Sequence, residues 1–85
     1  MPVKPQQRRE YHDLCRRLRE WRLRAGLSQR TLSKRLKRPI TYASKVESQV
    51  RRIDPVELGD WALACKVNPR DVLAAMGLSQ RGRRL

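Results

Sequence analysis

The chain has no phenylalanine, and its aromatics are only Tyr11, Trp21, Tyr42 and Trp61. With hydrophobic residues at 39% of an 85-residue chain, this supply suits one small core between short helices, not a sandwich or barrel. No segment alternates apolar and polar residues for long, and β-branched residues are scattered, which leaves no basis for strands. No apolar run approaches the ~20 residues of a membrane span. Met1-Pro2-Val3-Lys4-Pro5-Gln6-Gln7 carries charge with no apolar stretch behind it, so it does not read as a signal peptide. The expected location is therefore the cytoplasm.

Cysteine is scarce too. Cys15 and Cys65 stand fifty residues apart without CxxC spacing, and in a reducing compartment they are expected as buried small hydrophobes. His12 is the single histidine, set among charged residues and expected to be solvated. Metal-ligand spacing, a glycine-rich phosphate loop and a nucleophile motif are all missing. No enzyme, cofactor or metal is expected.

Acidic side chains are few: eight, against 21 Lys and Arg, for a net charge of +13. Such an excess repels itself unless a polyanion is near, so nucleic acid or an anionic membrane is the default partner. Placement decides whether the excess is more than a solvated surface. Residues 28–53 hold eight basic side chains and one acid, a net of +7, while residues 54–85 hold five and four, a net of +1. The charge is concentrated on one segment, as a nucleic-acid interface requires and an evenly solvated surface does not.

That segment is patterned. Tyr11, Leu14, Leu18 and Trp21 recur at helical spacing and predict a first helix from about Arg8 to Ala25, closed by Gly26. Ser28 is a good N-cap for a second helix, with Leu32 and Leu36 inward and Ser33 small enough to let another helix cross closely. Pro39 disfavours helical geometry at Arg38, so this helix should stop around Lys37. A third begins near Ile40 or Thr41 and reaches about Ser48, burying Ala43 and Val46. Asp54-Pro55-Val56-Glu57 combines a cap, a proline at the first helical position and a Glu three residues on, and starts a fourth helix to about Lys66. Asn68-Pro69-Arg70-Asp71 repeats the signature for a fifth, with Gly77 as its stop. The expected fold class is all-α, a compact bundle of about five short helices. The helix-turn-helix domain spans 8–78, between a flexible arm at 1–7 and a basic flexible tail at 79–85.

From Leu14 to Leu73 the chain resembles the Xre/Cro-type helix-turn-helix regulators, the class that includes phage repressors. Arg22, Gly26-Leu27-Ser28-Gln29, Leu32, Leu36, Ser44-Lys45-Val46-Glu47, Arg51-Arg52, Ala62, Val67 and Leu73 carry the likeness through their joint order and spacing. Three positions depart from it. Ser33 stands where the family usually has a small residue such as Ala, and Gln49 and Lys66 stand where helix-ending glycines are frequent. At Gln49 either a non-Gly residue takes a positive φ, or the loop follows another path.

The resemblance implies that the third helix enters the DNA major groove. Base reading then falls to Ile40, Thr41, Ser44 and Lys45: Lys45 can donate to guanine O6 and N7, and Ile40 and the Thr41 methyl can pack on a thymine methyl. Ile40 has a second reading, as a core residue one position out of register. Phosphate contacts fall to Ser28 and Gln29 at the start of the second helix, and to Arg38, Tyr42, Arg51 and Arg52 beside the third. For Arg51 and Arg52 the alternative is an ordinary charged loop. Glu47, the one acid of the basic segment, pairs in the family with an arginine of the first helix, here Arg22, as a structural brace. Its alternative is an exposed Glu that softens local repulsion.

The function expected is a sequence-specific double-stranded DNA-binding regulator, a repressor acting as a homodimer. The nearly neutral fourth and fifth helices are then the dimer surface, unless they only complete the core. The runner-up is an antitoxin that represses its own operon and has a toxin as a further partner. A nonspecific nucleoid or RNA-binding protein would fit the charge and leave the helix-turn-helix pattern unexplained. A membrane partner is not expected.

Overall fold

The computed structural model describes residues 9–76. The expected arm at 1–7, the tail at 79–85, the helix start at Arg8 and the Gly77 stop lie outside them. The described residues form five helices and no strand: α1 (Arg9–Arg24), α2 (Gln29–Arg35), α3 (Tyr42–Glu47), α4 (Pro55–Ala64) and α5 (Pro69–Ala75). No helix among them is long and apolar enough to cross a membrane.

The starts are set by side-chain caps, as the sequence predicts. Ser28 accepts from the Thr31 N–H at 3.0 Å. Asp54 and Glu57 form a reciprocal capping box, at 2.8 Å and 3.0 Å, behind Pro55 at the head of α4. Asn68 accepts from the Arg70 N–H at 2.8 Å and opens α5. The start of α3 differs. Thr41 makes no side-chain cap bond. The Ser33 hydroxyl reaches over from α2, accepts from the Ala43 N–H at 2.9 Å and donates to the Gln29 carbonyl at 2.9 Å. The departure at Ser33 is therefore a cap supplied by the neighbouring helix.

Four helix ends share one device. After α1, α2, α3 and α4 the chain turns through a left-handed residue whose N–H, with that of the residue after it, closes on carbonyls of the last turn. Gly26 does this at φ +75°. Lys37, Gln49 and Lys66 do it at φ 57°, 67° and 58°, conformations that cost a side-chain-bearing residue ~1–2 kcal/mol. Gln49 thus takes the positive φ, and the loop has no other path. Lys37 ends α2 in the same way, so helical residues stop at Arg35, short of the expected Lys37.

The core is a single cluster. Leu18 and Trp21 of α1, Leu32 of α2, Ala43 and Val46 of α3, and Leu58, Trp61 and Ala62 of α4 close on one another, with Ile53 and Ala75 at the edge. Burying each large apolar side chain contributes roughly 1.5–3 kcal/mol. Two of the buried aromatics are tied by their polar ends: Trp61 Nε1 donates to the Leu18 carbonyl at 3.1 Å, and the Tyr11 hydroxyl accepts from the Ile53 N–H at 3.1 Å. Cys15 and Cys65 are free and buried, and burial pushes both thiols above their ordinary range. They act as small apolar side chains.

Candidate nucleic-acid interface

Helix α3 is fixed from behind before its outer face can serve any purpose. Val46 and Ala43 are fully buried, and the Tyr42 ring, 4% exposed, packs on Trp61 with centroids 6.1 Å apart. Next to Val46 on the chain, Glu47 turns toward α1. Arg22 Nε donates to Glu47 Oε2 at 2.6 Å and Nη2 to Oε1 at 3.1 Å, a two-pronged pair. Arg22 Nη1 also donates to the Leu27 carbonyl at 2.9 Å. The pair's side chains are only 7% and 5% exposed. Desolvation on that scale makes the pair a device for orientation more than for net stability.

The outer face carries the residues assigned to base reading. Thr41 and Lys45 are exposed. Ile40 is 49% exposed, so it stands on the surface rather than in the core. Ser44 is half-buried, its hydroxyl donating to the Thr41 carbonyl at 2.9 Å. Small side chains beside one flexible cation leave a surface that can approach another molecule closely.

The residues assigned to phosphate are arranged less uniformly. Ser28 is exposed at the start of α2, its hydroxyl engaged in the cap. Gln29, half-buried, donates from Nε2 to Glu47 Oε1 at 3.0 Å and so joins the brace. Tyr42 was expected as a surface contact; its ring lies in the core and supports two arginines instead. Arg38 and Arg51 place Cζ 5.2 Å and 5.0 Å from the Tyr42 centroid. Arg52 stacks at 4.5 Å on Tyr11, also a core residue. These arginines are not a loosely charged loop.

Sequence reasoning missed Glu57 as part of this site. Read only as a capping-box residue, it also receives both arginines. Arg51 Nη1 and Nη2 donate to its two oxygens at 2.9 Å and 2.8 Å, and Arg38 Nη2 lies 2.8 Å from Oε2. The Arg51 hydrogen bonds, with help from the Asp54 N–H and despite burial, hold the Glu57 carboxyl below the usual carboxylate range. The available signal was scarcity: few acids follow the basic segment, and this one lies six residues after Arg51. His12 is exposed, as expected, and its Nδ1 lies 2.8 Å from Gln49 Nε2, next to the end of α3.

An all-α domain whose short α3 crosses a capped α2, with a cationic outer face, is a helix-turn-helix protein. Its structure matches an XRE-family-like protein from Pseudomonas syringae pv. tomato str. DC3000 at a TM-score of 0.73 and 34% identity, over 80% of this chain and 83% of that one. The chain belongs to the XRE family of helix-turn-helix proteins. No family model and no curated protein matches it.

Proposed function

We propose that this protein is a sequence-specific double-stranded DNA-binding regulator that inserts α3 into the major groove and represses by occupying a promoter. The observation that carries the reading is the division of α3. Its inner face is locked by Val46, Tyr42 and the Arg22–Glu47 pair, while its outer face, with Ile40 and Thr41 of the turn just before it, offers Ser44 and Lys45. Phosphates are gripped by the start of α2, through Ser28 and Gln29, and by Arg38, Arg51 and Arg52. Tyr42 contributes by supporting the first two of these arginines.

The protein acts in the cytoplasm as a homodimer, on half-sites about one helical turn apart, ~34 Å. Support for pairing comes from α4 and α5, whose Val56, Leu63 and Leu73 are apolar and exposed. Equilibrium sedimentation of the free protein and of its DNA complex tests the state: a single protein copy on the selected duplex rejects the dimer.

Competition binding decides the function. Duplexes selected from a random pool should bind at least ~10³-fold tighter than scrambled duplexes at physiological salt. Equal affinity rejects the specific regulator in favour of a nonspecific nucleoid role.

A further inference from the structure

Between Arg38 and Arg51 the chain runs through the whole of α3, yet both side chains end on one carboxylate. Glu57 belongs to the first turn of α4, and its side chain is 6% exposed, against 40% for Arg38 and 39% for Arg51. The Asp54 N–H donates to Glu57 Oε1 at 3.0 Å and fixes the carboxylate from the helix side. The Tyr42 ring supports the two guanidiniums.

We propose that Glu57 is a positioning residue of the DNA interface, holding Arg38 and Arg51 in their phosphate-binding geometry before DNA arrives. The proposal rests on the regulator reading given above.

The donor count supports it. A guanidinium has five N–H groups. Arg51 spends two on Glu57 and one on the Arg52 carbonyl at 2.8 Å. That leaves its Nε–H and one Nη2–H uncommitted among the described residues. Arg38 meets Glu57 through Nη2 alone and keeps Nε and Nη1. The cluster of two arginines and one glutamate keeps a net positive charge. A phosphate can therefore be bound without breaking the clamp. The entropy of ordering two long side chains is then spent in folding, not in binding.

Glu57 could instead be a competitor that shields the arginines from phosphate, or a helix cap and nothing more. The three roles differ in what Glu57→Gln does. Gln keeps an oxygen for the Asp54 N–H but loses the charge that orders the arginines. A positioning role predicts that affinity for selected and scrambled duplexes alike falls at least tenfold, despite the added net charge. In an Arg38→Ala/Arg51→Ala background, Glu57→Gln should lower affinity no further. An unchanged or increased affinity in the single variant, or an undiminished effect in the triple variant, overturns the proposal.

Wild-type protein that cannot tell selected from scrambled duplexes instead overturns the regulator reading, before any variant is made. Should Glu57→Gln fail to fold, the wild-type full chain still gives the answer by nitrogen-15 NMR. Without DNA, the guanidinium groups of Arg38 and Arg51 should rotate slowly and show resolved Nη signals. Free rotation of both, as for an exposed arginine such as Arg17, overturns the clamp.

Discussion

The Ser33 hydroxyl caps a helix it does not belong to: it sits in α2, and the N–H it accepts, at 2.9 Å, is that of Ala43 in α3. Both groups are buried, and the Ser33 O–H donates to the Gln29 carbonyl. The bond ties the two helices to each other. It also supplies the cap that Thr41 does not.

Ser33→Ala removes that acceptor and leaves a buried backbone donor unpaired, which costs about 1–3 kcal/mol. The transition in urea should move to lower concentration with its slope unchanged. A midpoint equal to wild type would show that the family's usual Ala serves equally well here and that the trans cap is idle.

Glu47→Ala should be more damaging. It strands the Arg22 guanidinium in a nearly water-free site and takes away the partner of Gln29. Breaking a buried pair from one side typically costs ~3–5 kcal/mol, a large part of a small domain's stability. Thermal unfolding followed by circular dichroism measures the loss. Wild-type stability together with wild-type DNA binding would mean that the pair braces nothing.

These two residues mark what the sequence makes legible. Helix starts were readable at Ser28, Asp54 and Asn68, because a cap bonds within three residues of itself and leaves a local signature. The α1 stripe was readable for the same reason of short range. The Arg22–Glu47 pair spans 25 residues, and only the resemblance to Xre/Cro regulators pointed to it. Ser33 and Glu57 bond to groups that the fold alone brings near, and no spacing rule announces them. Helix ends were the other obscure part. Gly26 marks a stop by its residue type, whereas Lys37 carries no mark that tells it from any other surface lysine.

Those ends give a stabilising prediction. Lys66 is exposed, has φ 58° and closes α4 through backbone bonds alone. Glycine there removes ~1–2 kcal/mol of left-handed strain and adds roughly 0.5–1 kcal/mol of unfolded-chain entropy. Lys66→Gly should therefore raise stability by about 0.5–1 kcal/mol. Gln49→Gly should gain less, since it also gives up the contact with His12. A fall in the melting temperature of Lys66→Gly would refute the strain argument.

Acid should act through Glu57. Its folded carboxyl titrates below the ordinary range because Arg51 bonds to the ionised form. The stability it contributes is present above the unfolded value, about 4.3, and is lost as pH falls through the lower folded value. Melting temperatures from pH 7 to pH 2 should decline more steeply for wild type than for Glu57→Gln in the region below pH ~4.3. Parallel profiles would show that the Arg51–Glu57 pair contributes nothing to acid sensitivity.

Lys45 and Arg38 should separate the two kinds of DNA contact. Lys45 is exposed on the outer face of α3, and among the described residues it has none of the stacking or ion pairing that holds the arginines. It is free to choose a base edge. Lys45→Ala should relax sequence preference, costing ~1–3 kcal/mol on selected duplexes and much less on scrambled ones. Arg38 makes the single-pronged contact with Glu57, so Arg38→Ala leaves the Arg51–Glu57 pair in place. Its loss should weaken both duplexes alike and lower the slope of log K against log salt by ~0.9. Repeating the duplex selection with each variant reads out the difference. An altered consensus from Arg38→Ala, or an unaltered one from Lys45→Ala, would reverse the assignment of base and phosphate contacts around α3.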